Sequence, residues 1–209
     1  MCSLTLAPFS TWLDMLTPYR WAIRNCGLLL LRGLMDSLFG TSESKALMEA
    51  GWDGKASRLH YARYPSLAPV LLGLLKSGRA MIRELTTIAA AEAVFPALDI
   101  VRRAGPPAAL RDELQMYIAD YLASPAWHVR EIAARTLCSC MLHSEWLDTL
   151  RSLLVRTDSA DSSEKNRFHG ALMTGKFLVE RLAEVMPAEL TGKSEMPPFF
   201  VGVLTNKML

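Results

Sequence analysis

Between Lys55 and Arg83 the chain carries six basic residues, Lys55, Arg58, Arg63, Lys76, Arg79 and Arg83, and no acidic one. His60, Tyr61 and Tyr64 are interleaved with the first three. Cations that meet phosphates, set beside rings that stack on bases, are what single-stranded RNA binding needs. Lys55, Arg58, Arg63 and Tyr64 are therefore the candidate RNA-binding residues. A competing reading packs Tyr61 and Tyr64 under the next helix and leaves the cations merely solvated.

Other chemistry-bearing residues lead less far. In Cys138-Ser139-Cys140-Met141-Leu142-His143, a helix would point the two cysteines about 200° apart. Only Cys140 and His143 then share a face, and no second ligand pair exists, so inert helical thiols are expected and no metal. Arg24, Asn25, Arg32 and Asp36 form a second polar group, readable as a grip on RNA or a partner, or as pairing between neighbouring repeats; the same holds for Arg130 and Arg135. Glu180 and Glu184 sit beside Lys176 and Arg181 as a solvated charged face. There is no G-x-G-x-x-G, Walker loop, G-x-S-x-G elbow or H-E-x-x-H. With no nucleophile, base and orienter to name, a non-catalytic chain without cofactors is expected.

The chain that must position these residues has 209 of them, 51% hydrophobic, 21% charged and 8% aromatic, with a formal net charge of +2. Disorder is excluded by that hydrophobicity, and the mild charge does not by itself announce a nucleic-acid binder. Four cysteines in apolar stretches make no disulfide framework. The first residues lack the basic start of a signal peptide, and apolar runs such as Leu67 to Leu75 fall well short of the roughly 20 residues of a membrane span. The expected setting is cytoplasmic and reducing, with no membrane span.

Period after period reads as helix. Ile23, Cys26, Leu30, Leu34 and Leu38 predict a helix over Trp21 to Phe39. Ser42 or Ser44 is expected to cap a short run from Lys45 to Glu49. Further helices are predicted over Leu67 to Lys76 (closed by Ser77-Gly78), Ala80 to Ala93, Val94 to Ala104, Leu110 to Leu122, Ala126 to Leu142, Glu145 to Val155 and Phe168 to Val185. Residues 157–166 (TDSADSSEKN) read as a polar linker and 194–209 as an irregular tail of a single helical-repeat segment, 1–209. Trp21-Ala22-Ile23-Arg24 and Trp127-His128-Val129-Arg130 echo one another, each with a small residue six positions after its Trp. The predicted fold is all-α, an α-solenoid of HEAT/armadillo-like helical repeats.

Residues 21–32, Trp21-Ala22-Ile23-Arg24-Asn25-Cys26-Gly27-Leu28-Leu29-Leu30-Leu31-Arg32, followed by Leu38-Phe39-Gly40-Thr41, resemble the hallmark stretch of the THADA family (thyroid adenoma-associated protein and its fungal counterparts). Arg63-Tyr64-Pro65-Ser66-Leu67, Val94-Phe95-Pro96-Ala97-Leu98 and the stretch from Ser124 to Arg135 follow in the family's order. The resemblance implies a very large, non-catalytic α-solenoid. Fungal members partner an FtsJ-type tRNA ribose methyltransferase and direct it to 2′-O-methylate a ribose in the tRNA anticodon loop. Trp21, Arg24, Asn25, Gly27, Arg32, Trp127 and Arg130 would then be hallmark residues with a structural or partner-contact role. The family's Arg-Arg-Ser-Ala-Gly segment is absent, and family members are several times longer, which implies a fragment. An alternative is a protein-interaction scaffold without RNA, such as the calcium-pump association suggested by animal relatives.

Overall fold

Helix is the regular structure throughout the residues that the computed structural model describes: 21–39, 51–55, 58–84, 94–142, 145–155 and 161–191. The α-helices are α1 (Trp21–Phe39), α2 (Leu67–Glu84), α3 (Phe95–Ala104), α4 (Arg111–Asp120), α5 (Trp127–Met141), α6 (Trp146–Leu154), α7 (Ser162–Val185) and the short α8 (Pro187–Thr191). Single 3-10 turns lie at Tyr61–Arg63, Ala108–Leu110 and Tyr121–Ala123. The short run after Ser44, the linker residues 156–160 and the tail 194–209 lie outside the described residues.

Local chemistry sets most of the boundaries. Pro96 sits in the first turn of α3, where its missing N–H leaves no bond unmade. Arg102 and Arg103 occupy the last turn of that helix, facing the negative end of its dipole. Gly105, at φ 82, then turns the chain away while its N–H still reaches Val101 O. Asp161 caps α7 by accepting from the Ser163 N–H at 3.3 Å. That helix begins at Ser162, so residues 162–166 of the polar stretch form its opening turn.

The predicted stop at Ser77-Gly78 does not occur: α2 runs through it to Glu84. Gly78 is buried against Val94 and Tyr121, and a Cβ there would collide with Val94 and lie 2.7 Å from the Tyr121 hydroxyl. The glycine admits a neighbour instead of ending the helix. Tyr121 also donates to Leu75 O at 2.5 Å, tying the turn after α4 to the middle of α2.

At the centre lies α5, packed against α3, α4 and α7, with α2 flanking α4 and α3 and α6 flanking α7. Val129, Ala133, Ala134, Leu137 and Met141 of α5 are fully buried. Thr136 and Ser139 hydroxyls reach the α3 carbonyls of Leu98 and Arg102 at 3.0 and 3.1 Å, so buried polar atoms join the two helices. Burial pushes the Cys140 thiol up to about 12, and Cys138 rises by burial too. His143 is outside the described residues. Met35 of α1 is buried, and Phe39 lies 4.4 Å under the Arg103 guanidinium.

Candidate nucleic-acid interface

The first three cations of the basic stretch lie on a strap, residues 51–55 and 58–64, that leads into α2. Its entry is fixed by Gly51, whose φ of 78 only glycine adopts readily, and where a Cβ would stand 3.1 Å from Arg102 O. Trp52 follows, 5% exposed, with its N–H on Arg102 O at 2.8 Å and its ring against Gly105. A turn comes next, in which the Lys55 N–H donates to Asp53 Oδ1 at 3.1 Å and leaves the lysine exposed.

The Arg58 N–H then bonds Ala104 O at 3.2 Å, and its half-buried side chain lies in a positive neighbourhood. Burial lowers the pKa of its guanidinium, and Arg103 and Arg181 lower it further. An arginine so placed gains from a phosphate more than a solvated one does, because the anion relieves repulsion already present.

The rings are used by the fold. Tyr61 donates its hydroxyl to Gly105 O at 2.8 Å, and both Tyr61 and Tyr64 pack half-buried against the core. Arg63 is exposed beside them on its 3-10 turn. Of the other cations in the run, Lys76 pairs with Glu113 at 2.9 Å and Arg79 with Asp120 at 3.0 Å, both across to α4. The side chain of Arg83 lies outside the description. The strap carries Lys55, Arg58 and Arg63, and Tyr64 packs against the core rather than standing free to stack.

Sequence reading missed Arg102, Arg103 and Arg181. Arg102 and Arg103 announce themselves only as a helix-end pair before Gly105. Arg181 is more than a hundred residues from the strap, and no local pattern links them. Beside the strap is a cavity of about 320 Å³ walled by Trp52, Arg102, Arg135, Phe177 and Arg181. Its cations are already engaged: Arg102 with Asp99 at 2.6 Å, Arg135 with Glu131 at 3.1 Å, and Arg181 with Glu184 at 3.1 Å. Among the described residues no three His, Cys, Asp or Glu side chains are grouped to hold a metal, and no helix is long and apolar enough to cross a membrane.

The hallmark residues separate by environment. Gly27 is buried in α1, while the side chains of Trp21, Arg24, Asn25 and Arg32 lie outside the description. Arg130 turns back on its own helix start, donating from Nη1 to Ser124 O at 2.6 Å and Pro125 O at 3.0 Å. It fastens the loop before α5, and burial lowers its pKa. Arg135 instead lies 4.2 Å over the Phe177 ring of α7. Trp127 is 54% exposed.

A family model described as Trm732, C-terminal TPR repeats, matches residues 24–178. The tRNA (32-2′-O)-methyltransferase regulator THADA of Chlorocebus aethiops is 26% identical over 163 residues, covering 73% of this chain and 8% of that protein. The human protein of the same name is 27% identical over 163 residues, with the same coverage of each chain. The tRNA (32-2′-O)-methyltransferase regulator trm732 of Schizosaccharomyces pombe is 24% identical over 163 residues, covering 74% of this chain and 10% of that protein. The chain thus spans a tenth or less of the length of the curated relatives it matches. No solved structure matches it. An all-helical repeat architecture, the hallmark stretch in α1 and a family match over most of the sequence agree: the chain belongs to the THADA/Trm732 family, within its C-terminal repeats.

Proposed function

We propose that this chain is a non-catalytic scaffold segment of a tRNA 2′-O-ribose methyltransferase regulator acting on the anticodon loop in the cytoplasm. The carrying observation is the family match, whose relatives are named regulators of tRNA (32-2′-O)-methylation. In this reading the strap offers Lys55, Arg58 and Arg63 to the tRNA backbone, because phosphate contacts position a nucleic acid without reading its sequence. An FtsJ-type methyltransferase supplies the chemistry from another face. Trp127 suits that face: an indole more than half exposed contributes little to the fold and much to a partner's pocket.

The test is genetic and chemical together. Deleting the encoding locus is expected to remove 2′-O-methyl groups from tRNA anticodon loops, and re-expressing the 209 residues to restore them. Re-expression of a chain carrying Arg58→Glu and Arg63→Glu is expected to restore less, with tRNA binding weaker and less salt-dependent. Methylation unchanged by deletion overturns the reading in favour of a scaffold without RNA.

A further inference from the structure

The strap is held from the far end of the chain. On α7, Arg181 donates from Nε to Trp52 O at 3.1 Å and from Nη2 to Gly51 O at 2.9 Å. Its third nitrogen, Nη1, bonds Glu184 Oε2 at 3.1 Å, one turn along the same helix. The side chain is only 14% exposed. Against this fork the strap is also stitched to α3, by Trp52 N–H to Arg102 O and Arg58 N–H to Ala104 O. The Arg102 carbonyl takes the Ser139 hydroxyl of α5 as well. Two helices, α7 and α3, therefore hold the strap on either side of Lys55, and α5 braces the α3 carbonyl that receives Trp52.

We infer that Arg181 is the positioning residue of the RNA-contacting strap, fixing Lys55 and Arg58 before tRNA arrives. This rests on the proposed RNA reading of those two residues. Ordering a loop on binding is a cost subtracted from affinity, and a strap already fixed avoids it. Two consecutive carbonyls and a carboxylate need a planar group with several donors at set angles. Arginine has that fork, whereas a lysine ammonium is a single point on a flexible stem. Glu184 keeps the guanidinium turned so that Nε and Nη2 face the strap.

The test compares Arg181→Lys with the paired variant Lys55→Glu, Arg58→Glu in the 209-residue chain, using a tRNA transcript titrated across a range of KCl concentrations. The strap pair is expected to bind about tenfold or more weakly, with a shallower salt slope. Arg181→Lys, which keeps its charge, is expected to bind about three- to tenfold more weakly, since loop ordering returns to the binding step. Amide exchange is expected to quicken about tenfold or more over residues 51–58 while α5 is unchanged. The triple variant is expected to bind no worse than the strap pair, because all three act on one contact. Glu184→Ala, at an exposed carboxylate, repeats the effect more weakly should Arg181→Lys fold poorly.

Wild-type binding by Arg181→Lys, or losses that multiply in the triple variant, overturns the positioning role and leaves the RNA reading standing. Wild-type binding by the strap pair removes the RNA reading, and the inference with it.

Discussion

Tyr121 and Tyr61 each bury a ring and hand the hydroxyl to a backbone carbonyl, that of Leu75 or of Gly105. Burial raises the pKa of both phenols, as it does the pKa values of Cys138 and Cys140. All four groups bind their protons more tightly folded than unfolded. Their contribution to stability is complete below the unfolded thiol pKa of about 9 and is lost as pH rises towards the folded values. The urea midpoint is therefore expected to fall between pH 9 and about 12, and urea melts at pH 7 and above 9 check it. At this scale the sequence was half legible. The strap's residue types were plain, but whether a tyrosine stacks outward or packs inward is settled by neighbours such as Gly105 and the core beneath Tyr64, which no local window contains.

Among the elements, α1 and α3 match their predicted spans to within a residue, because periodic apolar positions and a proline or glycine at the ends speak locally. Gly78 misled for the opposite reason. A serine-glycine pair reads as a stop by propensity, yet the requirement for glycine comes from Val94 and Tyr121 across the fold. Gly78→Ala separates the two effects. Helix propensity alone favours alanine by about 1 kcal/mol. Overpacking against Val94 and Tyr121 costs about 1–3 kcal/mol, so net destabilisation is expected, read as a lower urea midpoint. Gly170 of α7 is in the same position against Leu122, with a Cβ 2.8 Å from that residue's Cβ and carbonyl oxygen.

Across the whole molecule, fold class and family were readable from pattern and hallmark stretch, while the composition of the proposed interface was not. Six cations in a row looked like a single patch, but Lys76 and Arg79 turn to α4 and Arg181 comes in from α7. Exposed Trp127 yields a further expectation: Trp127→Ala changes stability by no more than about 0.5 kcal/mol yet weakens capture of the methyltransferase by at least about tenfold. Thermal melts and co-purification check the two halves separately. The Arg181 fork also has a bearing on biosynthesis. Its partners, Gly51 and Trp52, leave the ribosome some 130 residues before Arg181 does. At roughly 5–20 residues per second, the nascent chain carries its basic strap without that fork for about 7 to 26 s. Within that interval α2 to α5 can assemble with one another and α3 can take up the Trp52 and Arg58 N–H groups, but the Arg181 fork waits for α7 to emerge.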